Sequence, residues 1–109
     1  MSLARFTTRA VGTVATALNT AVPVGKSWTV IGLSFCNKTA STVSVQFYVT
    51  DSVPNNTFIL YNFNIPAGET LFPYGLLGKG VMLAGDVFWL SASVAAAIDV
   101  VMPYYQEAA

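Results

Sequence analysis

From Thr42 to Thr50 apolar and polar residues alternate strictly, with Val43, Val45, Phe47 and Val49 on one side and Ser44, Gln46 and Tyr48 on the other. A period of two marks a strand that lays one face on a core. Ala96 to Tyr104 repeats the pattern, with Ile98, Val100, Met102 and Tyr104 inward and Asp99 outward. Three further runs are apolar on both faces. Trp28 to Phe35 sets Trp28 and Val30 against Ile31, Leu33 and Phe35. Thr57 to Ile65 sets Phe58 and Leu60 against Ile59, Tyr61, Phe63 and Ile65. Val87 to Val94 sets Phe88 and Leu90 against Val87 and Trp89. An antiparallel sheet in a monomer needs only one apolar face. A second one predicts a covered outer surface, which in so short a chain means another chain.

Turn signals punctuate these runs. Val22-Pro23-Val24-Gly25 and Ile65-Pro66-Ala67-Gly68 share one form, with Pro second and Gly fourth, which predicts type I turns. Each leads into a charged residue, a hydroxyl residue and an apolar run. Ala84-Gly85-Asp86-Val87 is a third strand entry. Asn37-Lys38-Thr39-Ala40 and Ser52-Val53-Pro54-Asn55-Asn56 read as polar loops. The spacing predicts an all-β chain, a single antiparallel β-sandwich or jelly-roll-like domain of about eight strands. Residues 1–22 read as an N-terminal arm and a weak first element, and residues 23–109 as the sandwich. Arg5-Phe6-Thr7-Thr8-Arg9 is the extended arm, and Val11 to Leu18, rich in Ala and Thr, is a weak strand or short helix.

Composition sharpens the reading. Of 109 residues, 54% are hydrophobic and 9% charged, against about 25% charged in ordinary soluble domains. Five basic residues balance five acidic ones, for a formal net charge of zero. An electrostatically driven nucleic-acid binder would carry a basic stripe, so no nucleic-acid partner is expected. A near-neutral apolar surface favours association. The mean hydropathy of +0.59 raises a membrane reading, but a spanning helix needs about 20 apolar residues in a row. Pro54, Pro66 and four asparagines interrupt Ser52 to Gly68; Thr13, Thr16, Asn19 and Pro23 interrupt Ala10 to Gly25. The same Thr and Asn residues, with Gly12, argue against a signal peptide. No membrane partner is expected.

Candidate chemistry is thin. There is no histidine, so no His base or His metal ligand. Cys36 is the single cysteine; it forms no intrachain disulfide and has no histidine to activate it, so it reads as a packed core residue. Asp51, Glu69, Asp86 and Asp99 follow no metal-loop or acid/base spacing, and the first three sit at turns. Gly75-Leu76-Leu77-Gly78-Lys79-Gly80 lacks the order of a phosphate loop. The sequons at Asn37 and Asn55 read as chance matches. No enzyme, no cofactor, no metal site and no small-molecule substrate are expected. The aromatics point instead to contact surfaces, where Tyr, Trp and Phe are enriched. The interface candidates are Arg5, Phe6 and Arg9 on the arm, Trp28, Phe58, Leu60 and Trp89 on the second apolar faces, Phe72, Tyr74, Leu76 and Leu77 in an apolar loop, and Tyr104 and Tyr105 near the C-terminus.

The order of short phrases along the chain resembles small virion structural proteins of tailed bacteriophages. The phrases are Arg9-Ala10-Val11-Gly12-Thr13, Val22-Pro23-Val24-Gly25-Lys26, Thr29-Val30-Ile31-Gly32-Leu33 and Asn37-Lys38-Thr39-Ala40-Ser41, then Ile65-Pro66-Ala67-Gly68-Glu69, Leu83-Ala84-Gly85-Asp86, Ser91-Ala92-Ser93 and Ile98-Asp99-Val100-Val101. The resemblance implies a β-sandwich with a structural role on the capsid exterior or in the tail. The leading expectation is a capsid cement (decoration) protein that forms a homo-oligomer, a trimer first, and binds the major capsid protein at capsomer junctions. Two alternatives stand beside it: a tail, neck or fibre-attachment component, and a carbohydrate-binding β-sandwich using Tyr61-Asn62 or Tyr74.

Overall fold

Alternating apolar residues, bulges that reverse the alternation, and Pro-x-Gly turns together build two antiparallel sheets. The computed structural model describes residues 2–51, 56–75 and 79–108. Its strands are β1 (Ser2–Val11), β2 (Thr16–Ala17), β3 (Lys26–Ile31), β4 (Ser34–Asn37), β5 (Val43–Thr50), β6 (Asn56–Ile65), β7 (Thr70–Leu71), β8 (Lys79–Met82), β9 (Val87–Ala92) and β10 (Ile98–Ala108). In the first sheet β10 lies between β1 on one edge and β4 and β3, end to end, on the other; β7 then flanks β4 and β8 flanks β3. The second sheet runs β2-β9-β5-β6. The two pack face to face as a β-sandwich. Among the described residues no helix is long and apolar enough to cross a membrane.

The core lies between the sheets. Phe35, Phe47 and Phe88 form its centre, with Phe35 edge-on to Phe47 at 4.9 Å and Phe47 edge-on to Phe88 at 5.0 Å. Such edge-to-face packing suits the ring quadrupoles. Leu33, Leu90, Ile98 and Met102 fill in around them, all fully buried. The clean alternation of Val43 to Val49 and of Ile98 to Met102 is as the sequence predicts.

The run from Trp28 to Phe35 is a different case. It is two strands, and the apparent second apolar face is an effect of a bulge. Four residue steps from Val30 to Ser34 oppose three from Tyr104 to Val101 on β10, and Gly32 sits there at φ +61°. One extra residue moves every later side chain to the opposite face. Trp28, Val30, Leu33 and Phe35 therefore all enter one core. The same device operates in β1, where three steps from Thr8 to Val11 oppose two on β10 and Ala10 takes φ +55°. In β6 two register shifts flank Leu60, one of them spanning Asn62 at φ +51°, so Phe58 points outward while Leu60, opposite Phe47, packs on the core.

The segment Arg5–Arg9, expected as an extended arm, lies within β1, which pairs with β10 from Ser2 to Val11. Phe6 fastens this strand, its ring 5.4 Å from Tyr104 and 5.7 Å from Trp28. The weak element after it is the short strand β2, not a helix. Ten strands are described against the expected eight or so: the bulge at Gly32 divides one run, and the residues read as an arm form β1. The Pro-Gly turns close one residue later than expected. Lys26 N–H donates to Pro23 O and Glu69 N–H to Pro66 O, so each Gly is third in its turn, at φ +78° and +69°. That positive φ is what a type II turn requires at its third residue, and only glycine adopts it freely.

Two asparagines are structural clips. Asn37 is fully buried. Its Nδ2 donates to the Ser41 and Ile65 carbonyls, both at 2.9 Å, and its Oδ1 accepts from Thr39 N–H at 3.0 Å and Thr39 Oγ1 at 2.7 Å. Asn19 accepts from Phe88 N–H at 2.8 Å and donates to the Thr20 and Asp86 carbonyls. Each joins a loop to a strand distant in sequence.

Candidate interaction surfaces

Residues paired in register share a sheet face, so strand order assembles the outer surfaces. On the first sheet one row crosses four strands: Leu3 of β1, Tyr105 of β10, Thr29 of β3 and Val81 of β8. Leu3 is 65% exposed and Val81 69%. Next to it, Pro103 pairs with Arg5, and Ile31 with Lys79; beyond them lies Val101. The centre of this face is mostly aliphatic, with the Tyr105 phenol and the Thr29 hydroxyl, and Arg5 and Lys79 stand on its two outer strands.

The outer face of the second sheet has different chemistry. Ala17 of β2, Trp89 of β9, Tyr48 of β5 and Phe58 of β6 form one row. Tyr48 stacks nearly parallel to Trp89 at 6.3 Å and meets Phe58 at 5.0 Å; Phe58 meets Tyr61 edge-on at 5.2 Å. Trp89 Nε1 donates to Thr50 Oγ1 at 3.0 Å, which fixes the indole. One register step along the strands the face turns polar. Gln46 pairs with Ser91, and Thr13, Ser44, Gln46, Asn62, Ser91 and Ser93 line an open recess of about 220 Å³. Gln46 Nε2 donates to Asn62 Oδ1 at 2.8 Å, and the left-handed backbone at Asn62 turns its side chain to meet it.

The sequence-derived candidates fall in several places. Tyr105 and Arg5 lie on the first outer face, and Phe58 and Trp89 on the second. Arg9 is exposed beside the β1 bulge. Trp28, only 3% exposed, is buried within its own chain; it stacks on Tyr104 at 4.2 Å and donates from Nε1 to Gln106 Oε1. Phe6, Tyr104 and Leu60 are half-buried and pack on the core. Tyr74, considered as an exposed sugar platform, lies 6.3 Å from Phe88 and packs against the core; burial raises its phenol pKa above the usual value. Its ring fills the space a side chain at Gly80 would need. Phe72 is half-buried. Leu76 and Leu77, with most of the expected loop at Ser52–Asn56, lie outside the described residues. Leu3, Tyr48, Val81 and Gln46 were not singled out as site residues, because only strand order brings them beside the others.

Groups with titration chemistry are structural. Asp99 Oδ1 accepts from Ala10 N–H at 2.8 Å and pairs with Lys38 Nζ at 3.0 Å, and these contacts, the amide first, lower its pKa. Asp86 Oδ2 accepts from Leu83 N–H across a turn, as the sequence suggests. Cys36 is free and half-buried on β4. Among the described residues no cluster of three or more His, Cys, Asp or Glu could hold a metal ion.

No protein-family model matches the sequence, and no curated protein is significantly similar to it. Solved structures share the fold at low identity. The core of Drosophila NLP, described for its pentamer formation and histone binding, matches with a TM-score of 0.52 at 12% identity over 98% of this chain and 99% of that one. A subunit of Bacillus endospore appendages, described as disulfide-linked pili, matches at 0.53 and 9% identity over 98% and 87%. A pentameric capsid protein from metagenomic phage sequences matches at 0.45 and 17% identity over 97% and 63%, too distant to carry an argument. The first two likenesses show the fold alone.

Proposed function

We propose that this chain is a virion structural protein, a capsid cement protein that self-associates and stabilises an assembled shell. The observation that carries the reading is the row Leu3-Tyr105-Thr29-Val81 across the first sheet, uncharged and with exposed Leu3 and Val81 at its two ends, on a chain with no net charge. Left in water, such a face costs about 25 cal/mol for each Å² of apolar area that a partner would cover. A second copy is its natural occupant, because the face is broad and carries few charges. The same fold supports pentamer formation in the Drosophila NLP core. The virion assignment rests on the resemblance of the sequence phrases to tailed-phage structural proteins. The mechanism is mass action: a protein that binds the assembled lattice and not its free subunits shifts the equilibrium toward the lattice. Several contacts per oligomer then add as avidity.

Two measurements test this. Native mass of the purified chain is expected at an integral multiple of 11.6 kDa, three copies on the sequence expectation and five if the chain assembles as the NLP core does. Val81→Glu is expected to return it to the single-chain mass with the fold intact. A wild-type chain that stays single at every concentration overturns the self-association. Quantitative mass spectrometry of purified virions is expected to give one copy per capsid subunit or per few. A count of a dozen or fewer places the chain in the tail or neck, and absence from virions rejects the virion role.

A further inference from the structure

The second outer face combines two features that the assembly reading does not use. One is a row of aromatic rings that stand partly free of the core; Phe58 is 42% and Tyr61 67% exposed. The other is the uncharged recess beside it, walled by two carboxamides and four hydroxyl residues. Adjacent outward residues on a strand are about 6.5–7 Å apart, so rings and recess are neighbours along β5 and β9. Gln46 follows Tyr48 in this sense, and Ser91 follows Trp89.

We propose that this face binds a neutral oligosaccharide, with one sugar ring seated against Gln46, Asn62 and Ser91 and the next stacked on the Trp89-Tyr48-Phe58 row and its neighbour Tyr61. A pyranose ring has an apolar C–H face and a rim of hydroxyls. The negative face of an aromatic ring attracts the C–H bonds. Carboxamides and hydroxyls both donate and accept, as sugar hydroxyls require. The bond from Gln46 to Asn62 orients both side chains, and it leaves Gln46 Oε1 and Asn62 Nδ2 without protein partners among the described residues. Among the described residues no charged side chain lines the recess, so an acidic sugar would bring a carboxylate that none of them pairs. At about 220 Å³ the recess holds a single ring, below the roughly 300–1,000 Å³ of pockets that enclose drug-sized ligands. A second copy of the chain is a poorer occupant: covering the recess would bury amide and hydroxyl groups with no designed partners.

The test uses the full chain and a glycan array of neutral and acidic bacterial-type oligosaccharides, followed by NMR titration with cellohexaose, chitohexaose and maltohexaose. Binding is expected to a neutral member, shifting the Trp89 indole N–H and the Gln46 and Asn62 side-chain amides while the buried Trp28 indole stays in place. Tyr61→Ala and Gln46→Ala are each expected to weaken binding roughly fivefold or more. Val81→Glu, on the opposite sheet, is expected to leave it unchanged. Both site positions are outward, and circular dichroism checks their folding. No neutral glycan bound, selective binding of acidic glycans, or unchanged affinity in both site variants overturns the proposal. So does a Tyr61→Ala variant that loses the oligomer, since the face would then be an interface between copies.

Discussion

Asn37 offers the sharpest test of how the two sheets are joined. Asn37→Ala deletes a carboxamide that joins the Thr39–Ser41 loop to the end of β6. The Ile65 carbonyl bonded to it is buried, so the variant strands that acceptor where water does not reach. An orphaned buried group costs about 1–3 kcal/mol. The Ser41 carbonyl and Thr39 amide are only partly buried and recover water, adding about 0.5–1 kcal/mol together. The total is roughly 1.5–4 kcal/mol out of the 5–15 kcal/mol typical of a domain. At about 4–8 °C per kcal/mol that is a fall in Tm of some 6–32 °C. Urea unfolding at one fixed protein concentration reads it, and m should not change because the same surface is exposed. Thr39→Ala, which removes one hydroxyl from the rim of the clip, is the control and should cost about 1 kcal/mol or less. An Asn37→Ala loss below about 1 kcal/mol at unchanged m would refute the clip. In the fold the Asn37 Nδ2 is bonded inside the protein, so this sequon asparagine is not free to take a glycan there.

Two further outcomes follow from the first sheet. Phe6→Ala should cost roughly 1.5–2.5 kcal/mol, about half the penalty of a fully buried Phe, and should expose the β1 amides to hydrogen exchange; protection and stability unchanged from wild type would mean that β1 is an undocked arm. Asp99 has a folded pKa below its ordinary 3.8, so its contribution is present above that value and is lost as pH falls through the folded one. The stability gap between wild type and Asp99→Asn should therefore close on acidification below about pH 4, from a starting size of about 1 kcal/mol or less for so exposed a pair; a gap that widens in acid contradicts the assignment.

Where one face is buried and the other wet, the pattern is legible in the chain itself, as at Val43 to Val49. It becomes illegible where a bulge intervenes, because one inserted residue exchanges the faces without changing composition. Gly32 inside an apolar run is a visible signal for such a bulge. Ala10 and Asn62 give none, since their left-handed backbone is imposed by pairing with β10 and β5. Asn19 and Asn37 carry the residue type of turns, and their clipping role depends on carbonyls far along the chain. The surfaces follow the same logic. Trp89, Phe58 and Tyr105 were recognisable as surplus aromatics, but the rows they belong to exist only once strands distant in sequence lie side by side.

The excess of apolar residues, which suggested a chain covered by neighbours, divides into three parts in the fold. Trp28, Leu33 and Phe35 are core. The Leu3-Tyr105-Thr29-Val81 row of the first sheet suits another protein surface, because its exposed ends are aliphatic and it carries no charge. The aromatic row of the second sheet lies beside polar groups that ask for hydrogen bonds. A domain with these two unlike faces on opposite sides would turn the first toward its neighbours and the second toward the surroundings. The faces should then be energetically independent. Val81→Glu should abolish assembly without weakening glycan binding per chain, Tyr61→Ala should do the reverse, and the double variant should show both losses added to within about 0.5 kcal/mol. A coupling well beyond that would mean that one occupant spans both sheets, and the division of labour between the two faces would be lost.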